Sequence, residues 1–301
     1  IIPSSAMSLG LRKWLIFSLL ACIWGSSFIL MKRGLLSFDF VEVGLIRVVT
    51  ASVVTLAVPF PALREFRRAD LPWLIIVGLF GNGLPSLLFP LSVAHVDSSV
   101  VGILNALVPL FTVIIGMVFF GARTNRNQVI GIVTGLLGAL WLIAPWQADL
   151  GSSEWVYTAL PVLATIQYAI AINVIGQKLS HLSTNAITLL GFMTIFLPAL
   201  IGLFGFTDFT SDLSTTEGAW TSLFYLFILG IVGTAIAVIL FNKLIKLTTP
   251  IFASSITYCI PVAMLWGVYD GEQLALRHLL GVALILWGVY LVNSNKRKKA
   301  A

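Results

Sequence analysis

Charge is scarce in these 301 residues: 18 Lys and Arg with 12 Asp and Glu make up 10% of the chain, against 58% hydrophobic residues. Soluble domains carry about 25% charged residues, so a water-soluble enzyme or nucleic-acid-binding fold is excluded. Cysteine is nearly absent. Cys22 and Cys259 each sit inside an apolar run with no metal-ligand spacing around them, so they read as small packing residues. The three histidines, His95, His181 and His278, share no metal spacing either. No phosphate-cradling glycine loop, nucleophile elbow or pair of catalytic acids is present. No metal and no cofactor are expected.

What fills the chain instead is a series of ten apolar runs, at 12–32, 42–60, 71–93, 98–120, 127–146, 154–176, 185–206, 219–242, 250–269 and 278–294. A helix needs about 20 residues to cross about 30 Å of hydrocarbon, and helices that are oily all round need lipid or a very large core. The expected fold is an all-α membrane protein of ten transmembrane helices. The breaks between runs are too short to hold a soluble domain, so any chemistry lies within the bundle or at its two faces. Met7 is read as the native start, with Ile1 to Ala6 set aside as a remnant. Arg12 and Lys13 before an apolar run resemble a signal peptide, but Lys32 and Arg33 follow directly without a small-residue cleavage site, so this run is read as the first membrane helix.

The net charge of +6 concerns orientation. If the first residues are cytoplasmic, ten crossings return the end of the chain to the same side. Arg12, Lys13, Arg64, Arg67, Arg68, Arg123, Arg126, Lys178, Lys243, Lys246 and the tail cations from Lys296 to Lys299 then lie inside, against Lys32, Arg33 and Arg277 outside. The positive-inside rule selects this arrangement, with both termini cytoplasmic.

The chain also resembles itself. A shift of 152 positions matches Gly78 with Gly230, Gly81 with Gly233, Phe89 with Phe241 and Pro109 with Pro261. After a two-residue deletion Gly121 pairs with Gly271, Gly131 with Gly281 and Gly138 with Gly288, while upstream Trp24-Gly25 aligns with Tyr168-Ala169. The repeats are read as 1–148 and 149–301. Five helices per repeat is an odd number, so the second copy enters the membrane from the opposite face. That is an inverted repeat, the symmetry that lets a carrier exchange outward-open and inward-open shapes.

Trp24-Gly25-Ser26-Ser27-Phe28 leading to Lys32, Arg47 in the second run, and Ala253 … Pro261 … Asp270-Gly271-Glu272 … Gly281 … Gly288 resemble the EamA-type members of the drug/metabolite transporter superfamily. The first half departs from the Gly-Glu pattern with Gly121-Ala122. The resemblance covers both halves and implies ten helices, a cavity between the halves, and transport of small metabolites, often amino acids. Within the family the likeness is to bacterial amino-acid and metabolite exporters.

Carriers built from inverted repeats bind substrate near the midplane, where Gly or Pro interrupts helices. The third run breaks at Gly81-Asn82-Gly83-Leu84-Pro85, with Gly230 to Thr234 in the matching place of the eighth; Asn105 and Pro109 mark the fourth, and Thr257, Tyr258 and Pro261 the ninth. Such breaks serve packing or free backbone groups for a substrate, and both uses stay open. Trp24, Ser26 and Ser27 lie mid-run in the first helix; Gln167, Tyr168 and Asn173 do so in the sixth. An unpartnered buried amide costs about 1–3 kcal/mol, so Asn82, Asn105, Gln167 and Asn173 are expected to point inward, toward another helix or a cavity. Arg47 is the lone deep charge. A central arginine costs about 2.5–3.5 kcal/mol on insertion scales, and either a structural or gating role or contact with a substrate carboxylate fits it. Trp24, Tyr168, Tyr258 and Trp266 supply an aromatic wall. The candidate substrate-binding residues are Trp24, Ser27, Arg47, Asn82, Pro85, Asn105, Gln167, Tyr168, Tyr258 and Trp266.

No Asp or Glu lies at mid-depth in any run, which argues against a titratable acid in the pathway and for facilitated movement; Asp97 and Glu272, at loop ends, are the acids left to carry protons. The expectation is an alternating-access exporter of small neutral or aromatic metabolites, amino acids foremost, in the bacterial inner membrane. A nucleotide-sugar or drug transporter of the same superfamily is the alternative, and it calls for several basic side chains in the cavity. A membrane-embedded enzyme or scaffold would need a reactive dyad or an exposed packing motif, and neither is found. The implied partners are a small-molecule substrate and the lipid bilayer, without nucleic acid, for a chain working as a monomer.

Overall fold

The computed structural model describes residues 9–57, 60–143, 154–254, 256–257, 260–272 and 276–293. Among them every regular element is helical. Tyr258 and Cys259, the tail cations Lys296 to Lys299 and the boundary drawn between the repeats lie outside the described residues.

The first helix, α1 (Leu9–Gly34), runs unbroken. α2 (Phe40–Thr55) starts on a reciprocal capping box: Glu42 N–H donates to Asp39 Oδ1 at 2.7 Å and Asp39 N–H donates to Glu42 Oε2 at 3.0 Å. The second run, read as 42–60, stops here at Thr55 because Pro59 and Pro61 follow and cannot extend a helix. The third run divides into α3 (Leu71–Gly78), a π turn over Leu79–Gly83 and α4 (Pro85–Val93). The fourth divides into α5 (Ser98–Asn105) and α6 (Val108–Phe120) just before Pro109. Then come α7 (Arg126–Ile143), α8 (Glu154–Gln177), α9 (Thr184–Gly205) and the short α10 (Phe209–Thr215). α11 (Ala219–Gly230) passes through a second π turn, Ile231–Ile236, into α12 (Ala237–Leu247). α13 (Pro250–Ser254), α14 (Ile260–Tyr269) and α15 (Leu276–Asn293) complete the chain.

Six stretches among the described residues are long and apolar enough to cross a bilayer: Leu11–Gly34, Arg68–Val93, Ser98–Phe120, Trp155–Gln177, Thr184–Gly205 and Ala219–Leu247. α2 falls short of that length because of its proline stop, and α15 contributes only a shorter apolar helix, His278–Val292. Large apolar side chains such as Leu137, Leu197, Phe224 and Trp287 stay exposed along the outer faces, as a lipid-facing surface requires.

Packing is closest between α7 and α15. A Cβ on Gly288 would lie 2.5 Å from Gly131 O and 2.6 Å from Gly135 N, and one on Gly138 would lie 3.0 Å from Gly281 O. The two helices therefore run antiparallel, with backbones in contact through glycine. α6 and α14 both end on a left-handed glycine, Gly121 (φ 63°) and Gly271 (φ 85°), a conformation that a Cβ disfavours.

Polar ties mark the two ends of the bundle. At one end Lys32 pairs with Asp270 (2.6 Å) and Glu272 (3.1 Å), and Arg33 pairs with Asp270. At the other, His181 lies 3.2 Å from Asp70, Ser183 N–H donates to Glu65, and Lys246 donates to the carbonyls of Ser180 and Leu182.

Candidate functional site

Both π turns fall where the sequence interrupts a run with glycine. A π turn leaves carbonyls without their usual partners, and at the second turn a side chain of α1 and one of the turn's own residues answer them. Trp24 Nε1 donates to Gly233 O at 3.1 Å, and Thr234 Oγ1 donates to Leu229 O at 3.0 Å. A cavity opens beside the first of these turns, lined also from α1, α2, α5, α8, α9 and α12. Its volume is about 90 Å³.

Its walls are mostly apolar, with two ring pairs. Trp24 meets Phe241 edge-on at 5.0 Å between centroids, and Tyr168 stacks on Phe89 at 5.8 Å. Polar groups are few. Ser27 donates to Ile23 O of its own helix, and Asn242 Nδ2 donates to Thr188 Oγ1 at 3.0 Å. Asn82 faces the space from the first π turn, and Asn105 Oδ1 is buried without a hydrogen-bond partner. Arg47, 9% exposed, sends Nε to Thr234 Oγ1 at 2.7 Å, and Tyr168 lines the same space. The guanidinium is held inside the bundle and does not snorkel to the end of its helix. Among the described residues no acidic side chain lines the cavity.

Of the residues singled out from sequence, Trp24, Ser27, Arg47, Asn82, Asn105 and Tyr168 come together around this one space. Pro85 is buried in the α4 start and does not line it. Gln167 is buried on α8 beside the cavity residue Tyr168 but outside the lining, its Oε1 without a partner. Trp266 stands apart on α14 and donates Nε1 to Ser26 Oγ at 2.9 Å. Tyr258 is outside the described residues. Asn173 turned out to join helices: its Nδ2 donates to Thr112 O on α6 at 3.0 Å and to Ala169 O at 2.9 Å.

Over residues 12–144, and again over 155–294, the chain matches the EamA-like transporter family. The chain belongs to that family. It is therefore a membrane transporter of the drug/metabolite transporter superfamily, a multi-pass integral membrane protein acting on a small molecule, and not an enzyme. Among curated relatives it is 26% identical over 294 residues to a probable terminal-alkyne amino-acid exporter of Streptantibioticus cattleyicolor, covering 95% of each chain. It is 26% identical over 294 residues to an uncharacterized inner membrane transporter of Escherichia coli, covering 91% of this chain and 88% of that one. A solved crystal structure shares the fold at a TM-score of 0.65 and 17% identity, over 96% of this chain and 99% of the other.

Sequence reasoning missed Thr188, Asn242 and Ser254 as cavity residues of this transporter. Asn242 closes an apolar run beside Lys243 and so reads as a helix end; Thr188 stands near the start of its run. The ring pairs were within reach, since the repeat register already matched Phe89 with Phe241 and Trp24 with Tyr168.

Glu272, 2% exposed at its side chain, accepts at Oε1 from Ser98 N–H (3.0 Å) and Ser98 Oγ (2.7 Å), and at Oε2 from Ser99 N–H (3.0 Å) and Ser99 Oγ (2.6 Å). The loop after α14 thereby caps the N-terminus of α5, with Lys32 of α1 on the same carboxylate. Burial pushes this carboxyl up, but the hydrogen bonds from Ser99 and Ser98, with Lys32 beside them, hold it down to about 2. Held this way, Glu272 is a carboxylate at neutral pH.

Proposed function

We propose that this EamA-family transporter is an alternating-access carrier that exports small neutral or aromatic metabolites, amino acids foremost, by facilitated flow. Ten helices in two inverted five-helix repeats, 1–148 and 149–301 with both termini cytoplasmic, form the working unit in this reading. The observation that carries it is the pair of ring contacts. Trp24 and Tyr168 are equivalent in the repeat register, as are Phe89 and Phe241, and each contact joins one repeat to the other across the cavity.

The positions of the two π turns, 152 residues apart at Leu79 and Ile231, support the repeat. So does the antiparallel α7–α15 contact: Gly131 meets the partner of Gly138, and Gly138 meets the partner of Gly131. That is the self-complementary pattern of a two-fold axis passing between the two helices, at right angles to them. An axis along the membrane normal would leave these equivalent helices parallel, so the pattern favours one in the membrane plane. Because these glycine faces cover each other, the proposed unit is a monomer.

The amino-acid reading draws on the small, mostly apolar cavity and on the exporter named among the relatives. Arg47 as the single basic group among the described lining residues gives a nucleotide sugar, with its two phosphates, little to bind. The ionised Glu272 supports facilitated movement over proton coupling. Counterflow of labelled amino acids into proteoliposomes, with and without a pH gradient, tests the proposal. Exchange of at least one amino acid, unaffected by the gradient, is expected; absence of exchange for every amino acid overturns the substrate, and uphill accumulation driven by the gradient overturns the facilitated mode.

A further inference from the structure

Arg47 lies deep in α2, and among the described residues it forms no salt bridge: the ion pairs of Lys32, Arg33 and His181 sit at the ends of the bundle. Its aim is fixed. Thr234 Oγ1 donates its own proton to Leu229 O, so only lone pairs face Arg47 Nε. A charge held away from water with no counter-charge is costly unless a ligand completes it.

Packing does not call for an arginine at this place. Trp24 and Tyr168 stand 144 positions apart, and the same step carries Arg47 to Gly191 and Thr50 to Thr194. The two sites pack alike: a Cβ on Gly230 would lie 2.6 Å from Thr50 Cβ and 3.3 Å from Arg47 O, while one on Gly78 would lie 2.5 Å from Gly191 O and against Thr194 Oγ1. One of these equivalent helix contacts is built with glycine where the other has arginine. The side chain of Arg47 is therefore surplus to the contact and extends into the cavity, where the described residues supply one positive charge and no negative one. Asn105, 7% exposed, lines the same space with a carbonyl oxygen that nothing satisfies.

We infer that Arg47 is the carboxylate-recognising residue of the cavity and that the Asn105 side-chain carbonyl receives an ammonium, so that the carrier selects zwitterions bearing a single carboxylate. This rests on the proposed amino-acid carrier. It deepens it by excluding molecules of similar size: amides and amines lack the anion, N-acylated acids lack the cation, and phosphorylated metabolites bring more negative charge than one guanidinium matches. The single arginine in a pseudo-symmetric site also means one carboxylate per transport cycle.

The test is counterflow of labelled phenylalanine into vesicles holding the full chain, with phenylalanine, phenylalaninamide, phenethylamine and N-acetylphenylalanine as unlabelled competitors. For the wild type, each of the last three is expected to compete at least about tenfold less well than phenylalanine, the scale of one lost charge-assisted hydrogen bond. Arg47→Gln is expected to raise the half-saturating phenylalanine concentration at least about tenfold and to leave the weak competition by the amide unchanged. Asn105→Leu is expected to narrow the gap between phenylalanine and its N-acetyl form. If the amide competes as well as the acid in the wild type, or if Arg47→Gln weakens both equally, the inference is overturned while the carrier proposal stands. Wild-type vesicles that exchange no amino acid at all overturn the carrier proposal itself. The competition arm needs no variant, so a poorly folding Arg47→Gln protein does not decide the matter.

Discussion

Glu272 Oε2 accepts both the backbone N–H and the hydroxyl of Ser99, at 3.0 and 2.6 Å, across 173 residues of chain. With Ser98 doing the same at Oε1, one carboxylate satisfies the first turn of α5, whose own N-cap Asp97 makes no side-chain cap bond. The first N–H groups of a helix have no partner within it, so Glu272 serves as a cap supplied from a distant part of the chain. Glu272→Gln keeps the shape but turns an NH2 group toward two of these donors. The expected loss is about 1.5–3 kcal/mol, the range for hydrogen bonds to a charged group, measured as unfolding free energy in detergent. Asp270→Asn is expected to cost at most about 1 kcal/mol, because its partners Lys32 and Arg33 are 35% and 38% exposed and exposed ion pairs contribute little. A larger loss at Asp270 than at Glu272 would place the closure of this end in the ion pairs instead of the cap.

The same carboxylate sets a pH window. Its folded-state value is held down to about 2 from an ordinary 4.5. A group depressed by folding stabilises the native state above its unfolded value and loses that contribution as pH falls through the folded one. The stability difference between wild type and Glu272→Gln is therefore expected to stay constant from pH 8 to about 5, then to shrink between about 4.5 and 2. Unfolding midpoints of the two proteins across that range provide the measurement. A difference that disappears near pH 6 would show that the carboxylate is not held by these donors.

Much of this molecule is legible in its sequence because lipid imposes a simple rule: long apolar runs become helices. The glycine cluster at Gly81 to Gly83 announces a broken helix. Less legible is how each run breaks. Nothing local distinguishes a π turn at Ile231–Ile236 from a kink, since one of its carbonyls is answered by Trp24, 209 residues away. Arg47 and Asn105 were identifiable as misplaced polar groups, whereas Asn242 was hidden by lying next to a lysine at a run's end. The role of Glu272 depended on a serine pair 173 residues away, beyond any local pattern.

The two ring pairs differ in this structure although their members are equivalent: Trp24–Phe241 is edge-on at 61° and Tyr168–Phe89 is stacked at 24°. If the halves exchange conformations during transport, the geometries exchange too, and each pair favours one state. Aromatic pairs contribute about 0.5–1.5 kcal/mol beyond burial, so Phe241→Ala and Phe89→Ala should each shift the ratio of the two states by roughly 2- to 12-fold, in opposite directions. Half-saturation on the two faces of oriented vesicles reads this ratio. Shifts in the same direction for both variants would mean that the pairs do not alternate.

Gly288 is the position at which the α7–α15 contact leaves no slack. A Cβ there would stand 2.5 Å from Gly131 O, 2.6 Å from Gly135 N and 2.8 Å from Gly135 Cα. All three are backbone atoms, which cannot rotate aside as a side chain does, so even alanine must push the helices apart. Small residues let membrane helices approach this closely, and van der Waals contact is what holds them there. Gly288→Ala is expected to cost about 3 kcal/mol, at the upper end of the range for overpacking. Gly121→Ala makes the comparison informative: nothing lies within 4 Å of its Cβ, and its penalty comes only from the left-handed backbone at φ 63°, about 1–2 kcal/mol. Unfolding of the two variants in detergent should rank Gly288→Ala as the more damaging. If the order is reversed, helices α7 and α15 are not in backbone contact, and the self-complementary glycine pattern loses its meaning as a mark of two-fold symmetry.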